Sequence, residues 1–72
     1  MSLTPAEKIL AIMRRRGMTL TDLAEITGQS RQNLSNKLSR DNFSYSDLVK
    51  LAAALGCSYD GVFTMDDTGE RI

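Results

Sequence analysis

The sequence predicts a small, mainly α-helical domain of four helices, followed by a short C-terminal β-hairpin. A Ser or Thr suited to a helix N-cap occurs four times, each time before apolar residues with helical spacing. Glycines end three of these four stretches. After the last of those glycines, the helical spacing gives way to residue types that favour strands. With 72 residues, the chain has room for one domain and one modest core.

Helix 1 is predicted over about residues 5 to 16. Thr4 is a suitable N-cap, Pro5 occupies the first helical position and Glu7 completes a capping box. Three consecutive arginines suit the negative end of the helix dipole, and Gly17 ends the helix. The apolar stripe expected to face the core consists of Ala6, Ile9, Leu10 and Met13.

Two short helices follow and are joined at Gly28, which supplies the positive φ of a sharp turn. Helix 2 is capped by Thr19, with Asp22 as its capping-box partner, and is about two turns long. Helix 3, over about residues 31 to 38, is capped by Ser30 and has a largely polar surface. The residues expected to point inward are Leu20, Leu23 and Ala24 in helix 2, and Leu34 and Leu38 in helix 3.

Helix 4 is predicted to contribute strongly to the core. Ser44 is its N-cap, Asp47 completes the capping box, and Phe43 before the cap can pack against Leu48 as a hydrophobic staple. Gly56 ends the helix. The inward stripe expected for this helix consists of Leu48, Leu51, Ala52 and Leu55.

The segment after Gly56, "CSYDGVFTMDDTGERI", is predicted to form a β-hairpin. Gly61 interrupts any helix there, and Asp66–Gly69 is typical of a turn that leads into the short "ERI". The alternative is a single helical turn capped by Ser58, followed by a loose tail. The residues that favour a strand are Tyr59, Val62, Phe63 and Thr64.

Composition argues against several classes of protein. Cys57 is the single cysteine and histidine is absent, which excludes a disulfide framework within one chain and the usual zinc spacings. No arrangement of nucleophile, base or paired carboxylates suggests catalysis. We therefore expect no enzyme, no metal site, no cofactor and no small-molecule substrate. Short apolar runs and a start without a signal-peptide pattern predict a cytoplasmic protein that does not span a membrane.

The formal net charge of zero conceals an asymmetry along the chain. Residues 1–50 contain eight Lys or Arg and five acidic residues, a net charge of +3. Residues 51–72 contain one Arg and four acidic residues, a net charge of −3. A polyanion would therefore meet a basic face and an acidic far end.

Two short helices joined by a glycine, the second with a polar outer face, form the pattern of a helix-turn-helix. The residues Leu23-Ala24, Gly28, Ser30 and Leu34, with the later "NFSYSDLVKLAAALG", resemble the Cro and XRE-like phage-repressor family of transcriptional regulators. The resemblance covers about residues 4 to 57 and implies a repressor-like helical bundle. We assign residues 1–57 to a DNA-binding domain and residues 58–72 to a hairpin extension of the same domain.

Three positions depart from the pattern of that family. Leu20 stands where many members have glutamine, and Gln29 follows the turn glycine where an apolar residue is usual. Lys37 stands where an apolar residue is common, with Leu38 next to it.

The polar face of helix 3 supplies the predicted DNA contacts. The resemblance places the N-terminal half of this helix in a major groove, where guanidinium and amide groups can pair with base edges. Arg31 suits guanine and Gln32 suits adenine, while Ser35 and Asn36 lie one turn further on. Phosphate contacts position a protein without reading sequence, and those predicted are Ser30, Asn33, Lys37, Arg40 and Asn42.

The predicted function is sequence-specific binding of double-stranded DNA by a repressor-like regulator from a bacterial or phage-derived gene. The alternative is an antitoxin-like or adaptor helix-turn-helix that acts mainly through protein–protein interaction. The zero net charge and Leu20 favour this alternative. Taken alone, the polar face of helix 3 is also consistent with an ordinary solvated helix.

The C-terminal hairpin is predicted to join two copies of the chain. The resemblance implies a two-fold pair, since members of that family usually bind half-sites about one helical turn apart. The helices use their apolar stripes within the protomer, whereas a hairpin edge exposes unpaired backbone groups. We therefore predict a homodimer whose interface includes Tyr59, Phe63 and Met65. The alternative is that the hairpin only covers its own helices.

Overall fold

The computed structural model describes residues 3–72 and has four helices and one two-stranded antiparallel sheet. In this part of the chain, no helix is long and apolar enough to cross a membrane. The four helices and the antiparallel strand pair confirm the predicted mainly helical fold with a C-terminal hairpin. The elements in order are α1 (Pro5–Arg16), α2 (Leu20–Ile26), α3 (Arg31–Arg40), α4 (Tyr45–Ala54), β1 (Cys57–Tyr59) and β2 (Phe63–Met65).

Each helix begins at the N-cap that the sequence indicates. The side-chain oxygen of the cap accepts a hydrogen bond from the backbone N–H three residues later in all four helices. The capping box is complete in α1, α2 and α4, whereas no acidic residue stands in the first turn of α3. The caps are Thr4, Thr19, Ser30 and Ser44.

The end of α3 is tied to the start of α1. Asp41 follows α3 with a left-handed φ of 52°. Its carboxylate Oδ1 accepts a hydrogen bond from the backbone N–H of Ala6 at 2.9 Å. The first N–H groups of a helix have no partner within the helix, and this bond satisfies one of them. It also joins two elements that are far apart in the sequence.

The apolar core takes side chains from every helix and from both strands. In α1, Ile12 is fully buried, whereas Leu10 is 39 % exposed. The prediction that Leu10 faces the core was therefore wrong, because the packed side of α1 is centred on Ile9, Ile12 and Met13. From α3, Leu34 alone is buried and Leu38 is partly covered. The largest fully buried side chains are Phe63, Ile9, Ile12, Leu23, Leu34, Leu51 and Leu55.

The chain after α4 makes two successive turns. In the first, β1 and β2 pair antiparallel, with Cys57 opposite Met65 and Tyr59 opposite Phe63. Gly61 lies in the turn between them with a φ of 93°. The sequence predicts a turn at Asp66–Gly69 but not this earlier turn at Gly61 or the pairing of β1 with β2. The alternative of a helical turn capped by Ser58 is wrong, because this segment is a strand followed by a turn.

The second turn is the one that the sequence indicates at Asp66–Gly69. The N–H of Gly69 donates to the carbonyl oxygen of Met65 at 2.8 Å, and Gly69 has a φ of 73°. The chain then returns along β2, where Phe63 and Ile72 exchange backbone hydrogen bonds of 3.1 and 2.8 Å. The final residues thus cover the outer edge of the β2 strand.

Candidate nucleic-acid interface

The turn between α2 and α3 spans residues 27–30 and is closed by backbone hydrogen bonds. Gly28 has a φ of 71°, and its N–H donates to the carbonyl oxygen of Glu25 at 3.2 Å. The N–H of Gln29 donates to the carbonyl oxygen of Ala24 at 3.0 Å. Ala24 is buried in the core. These contacts give α2 and α3 the arrangement of a helix-turn-helix.

The four predicted base contacts lie on one side of α3. Arg31, Gln32 and Asn36 are exposed, and Ser35 is half-buried. Residues at these spacings share one face of a helix. Leu34 points the other way and is fully buried. The structure therefore brings the predicted residues together on the surface of α3 that the core does not use.

Two of these side chains are already hydrogen-bonded to each other. Gln32 Nε2 donates to Asn36 Oδ1 at 3.0 Å, one turn apart on the exposed face. Within residues 3–72, the remaining donors and acceptors of the two amides have no hydrogen-bond partner. The two residues therefore present a joint surface to a ligand rather than two independent amides.

The predicted phosphate contacts differ in how free their side chains are. Arg40 and Asn42 are exposed, and in the described residues their side chains make no hydrogen bond or ion pair. Ser30 Oγ accepts from the backbone N–H of Asn33 at 3.0 Å as the helix cap. The Asn33 Nδ2 donates to Gln29 Oε1 at 2.9 Å. Arg40 and Asn42 are therefore the members of the set whose side-chain polar groups have no partner within residues 3–72.

Lys37 is held by α4. Its ammonium group donates to Asp47 Oδ1 at 3.2 Å, and both side chains are less than a third exposed. The backbone N–H of Ser44 and then Lys37 lower the pKa of the Asp47 carboxyl below its ordinary value. Asp47 is thus charged at neutral pH, so Lys37 offers a phosphate a partly neutralised cation.

Two of the three arginines at the end of α1 face the acidic C-terminal segment. Arg16 donates through both terminal nitrogens to the Asp67 carboxylate, at 2.7 and 2.8 Å. Its Nε also donates to the carbonyl oxygen of Leu55 at 3.1 Å. Arg15 forms an ion pair with Glu70. The basic and acidic regions of the sequence therefore meet at this end of the molecule.

The predicted dimer residues are placed differently from expectation. Phe63 and Met65 are 0 % and 3 % exposed and belong to the protomer's own core. Tyr59 is half-buried against Phe63, with ring centroids 4.7 Å apart. The prediction is corrected accordingly, because β2 turns two of these side chains inward, where a second copy of the chain cannot reach them.

The sequence analysis did not predict the polar contacts that α3 makes with the α2–α3 turn and with α4. Thr27 and Gln29 in the turn are linked to Asn33 by side-chain hydrogen bonds, and Asp47 on α4 is linked to Lys37. The sequence did carry a signal, since Gln29 and Lys37 are two of its departures from the resembled family. Leu20, the third departure, packs against the core as a partly buried side chain.

The comparisons with known proteins agree with this geometry. Residues 8–67 match the family model of the Cro/C1-type HTH DNA-binding domain. Neither the curated proteins nor the solved structures give a match. The family match spans both helices of the helix-turn-helix, α4 and the strand pair. The chain therefore belongs to the family of Cro/C1-type HTH DNA-binding domains.

Proposed function

We propose that the protein is a sequence-specific, repressor-like transcriptional regulator that reads the major groove of double-stranded DNA with α3. The observation that carries this proposal is the exposed cluster of Arg31, Gln32 and Asn36 on a helix with one fully buried side chain. A helix that contributes so little to the core, within a DNA-binding family, is suited to lie in a groove.

The chemistry of the cluster suits base edges. The Arg31 guanidinium can donate two hydrogen bonds to guanine N7 and O6, and an amide such as Gln32 can pair with adenine N6 and N7. Because Gln32 and Asn36 are hydrogen-bonded to each other, Asn36 helps to hold the Gln32 amide in place. Arg40, the last residue of α3, and Asn42, two residues further on, are the proposed phosphate contacts. Lys37 and its partner Asp47 are further candidates on α3 and α4.

The proposal includes two copies of the chain on two related half-sites. Tyr45 on α4 is 64 % exposed, and Val49, one turn later, is 41 % exposed. The Tyr45 ring lies beside Tyr59, with centroids 5.6 Å apart. Tyr45 and Val49 form an exposed apolar strip beside Tyr59 of the hairpin, and we propose this strip as the surface through which two copies associate.

Selection of bound sequences from a random duplex pool tests the proposed function. We expect enrichment of a motif with two related halves, and a weaker enrichment with Arg31→Ala. Arg71→Ala is the matched control, because it removes the same charge from the C-terminal segment and should select the wild-type motif. If no sequence is enriched at low salt, the proposal fails and the protein-interaction alternative gains support.

A further inference from the structure

A chain of side-chain hydrogen bonds crosses the turn between α2 and α3. The Thr27 hydroxyl donates to the backbone carbonyl oxygen of Leu23 at 2.8 Å. Gln29 Nε2 donates to Thr27 Oγ1 at 2.9 Å, and Asn33 Nδ2 donates to Gln29 Oε1 at 2.9 Å. Thr27 and Gln29 are half-buried, whereas Asn33 is exposed. This series of hydrogen bonds thus runs from the backbone of α2 to the surface of α3.

The direction of these bonds is fixed at the inner end. A carbonyl oxygen can only accept, so the single hydroxyl proton of Thr27 is used on the end of α2, where the carbonyl oxygens of Leu23 and Ala24 lie at 2.8 and 3.3 Å. Thr27 Oγ1 then accepts from the Gln29 amide nitrogen, which turns the Gln29 side-chain oxygen toward Asn33. Asn33 must in turn donate through its own amide nitrogen. The orientation of the Gln29 and Asn33 side-chain amides therefore follows from the backbone carbonyls at the end of α2.

The first turn of α3 has few other attachments to the rest of the molecule. Arg31, Gln32 and Asn33 are all exposed, and Leu34 is the first residue of α3 that is buried. Within residues 3–72, no other side-chain hydrogen bond links the end of α2 to α3. The hydrogen-bond chain is therefore placed to hold the part of α3 that carries the proposed base contacts.

We propose that Gln29 is a positioning residue for DNA recognition, which holds the first turn of α3 against the end of α2 and so sets where Arg31 and Gln32 meet a base edge. This inference rests on the proposed function, because it concerns the base contacts assigned to α3. A bidentate base contact discriminates between bases only while both of its hydrogen bonds are aligned. If the first turn of α3 is loosened, the protein should therefore lose its preference for one DNA sequence before it loses binding through phosphate contacts.

Variants that break the chain of bonds are compared with one that keeps it. Gln29→Leu removes both amide hydrogen bonds with a side chain of similar bulk, and Thr27→Val removes the hydroxyl but keeps the branched shape. Thr27→Ser keeps the hydroxyl and is the matched control. Each protein is titrated with the duplex selected by the wild type and with a scrambled duplex. Thermal unfolding and NMR spectra of the side-chain amides are recorded on the same samples.

We expect Gln29→Leu and Thr27→Val each to lower the preference for the selected duplex by about 5- to 30-fold, the effect of losing one or two net hydrogen bonds. Binding to the scrambled duplex should change by less than about twofold, because phosphate contacts dominate it. Thr27→Ser should keep the preference. The amide signals of Gln29 and Asn33 should shift in Thr27→Val and remain in place in Thr27→Ser.

The inference is overturned if Gln29→Leu keeps the wild-type preference, or if it weakens both duplexes by the same factor. If Gln29→Leu does not fold, the Thr27→Val and Thr27→Ser pair decides by the same two criteria. A wild type that selects no sequence refutes the proposed function and this inference together. A wild type that selects a sequence, with variants that prefer it equally, refutes this inference alone.

Discussion

At the scale of single residues, hydrogen bonds within the protein decide what each polar side chain of α3 can still offer to DNA. Gln32 and Asn36 share one hydrogen bond, Asn33 donates to Gln29, and Lys37 donates to Asp47. Arg31 has no such partner in the described part of the chain and keeps all of its donors free. Exposure alone therefore does not rank these residues as DNA contacts.

The shared bond between Gln32 and Asn36 predicts that their contributions to binding are not additive. Gln32→Ala and Asn36→Ala should each weaken binding to the selected duplex by about 1–3 kcal/mol. The double variant should differ from the sum by about 0.5 kcal/mol or more, because residues in one hydrogen-bond network couple. Fluorescence anisotropy titrations give the three values. Additivity within about 0.3 kcal/mol would show that the two amides act separately.

Arg40 and Lys37 should differ in how they affect the salt dependence of binding. Arg40→Ala should weaken binding to all duplexes alike and reduce the salt slope by about 0.9, the value for one lost phosphate contact. Lys37→Ala should reduce the slope less, because Asp47 already neutralises part of that charge. Titrations over a range of salt concentrations measure both slopes. Equal slopes for the two variants would contradict this ranking.

At the scale of elements, local sequence signals predict where helices begin and end, but not which distant groups they meet. The capping residues of all four helices and the bounds of α1 follow from the sequence because a cap is a contact over three residues. In α1, both Leu10 and Ile12 are apolar, and only the packing of the other elements against α1 decides which one is buried. A three-residue strand such as β1 gives no periodic signal, so its pairing was missed.

The same limit applied to the candidate site. The exposed face of α3 follows from spacing, since Leu34 and Leu38 define its opposite side. The bond from Lys37 to Asp47 and the carboxylate of Asp41 on Ala6 join residues of different elements, which a sequence pattern does not place side by side. The hydrogen bonds of the Gln29 side chain to Thr27 and Asn33 depend on the geometry of the turn, so the sequence pattern does not predict them.

The ion pair of Arg16 at the end of α1 with Asp67, called the Arg16 clamp below, predicts a pH-dependent contribution to stability. The hydrogen bonds from Arg16 lower the pKa of Asp67 from 3.8 to about 2. Because the pKa is lower in the folded state, the stabilisation is present above pH 3.8 and is lost as the pH falls toward 2. Asp67→Asn should therefore lower the melting temperature at pH 7, and the difference from wild type should vanish near pH 2.

Asp66→Asn is the matched control for that measurement. Asp66 is the exposed neighbour of Asp67 and makes no ion pair in the described part of the chain. Thermal unfolding followed by circular dichroism from pH 2 to pH 7 compares the two variants with the wild type. If Asp66→Asn shows the same pH-dependent difference, general charge rather than the Arg16 clamp is responsible.

At the scale of the whole molecule, the features combine into a domain with a groove-reading helix at one face and an acidic segment folded against the end of α1. The hairpin that was expected to pair with a second copy instead completes the core through Phe63 and Met65. Tyr59 is half-buried and lies beside Tyr45 of α4, which, like Val49 one turn later, is exposed. Association of two copies is therefore proposed through this strip.

Substitution within the strip tests the proposed association. The Tyr45→Ser/Val49→Ser double variant should sediment as a monomer at a concentration where the wild type sediments as a dimer, because the interface loses its apolar area. It should also bind one half-site of the selected duplex at a time. Ile26→Ser is the matched control, since Ile26 is 61 % exposed and lies on α2, outside the proposed strip. A dimer that persists in the double variant, or one that Ile26→Ser abolishes, would place the interface elsewhere.

The central claim is that α3 reads base edges, and a panel of single base-pair substitutions in the selected duplex tests it most directly. The affinities of the wild type and of Gln32→Ala are measured across the whole panel. We predict that Gln32→Ala loses discrimination at one base pair of each half-site, by about 1–3 kcal/mol, and keeps it at every other position. A Gln32→Ala profile that parallels the wild type at every position would contradict the claim.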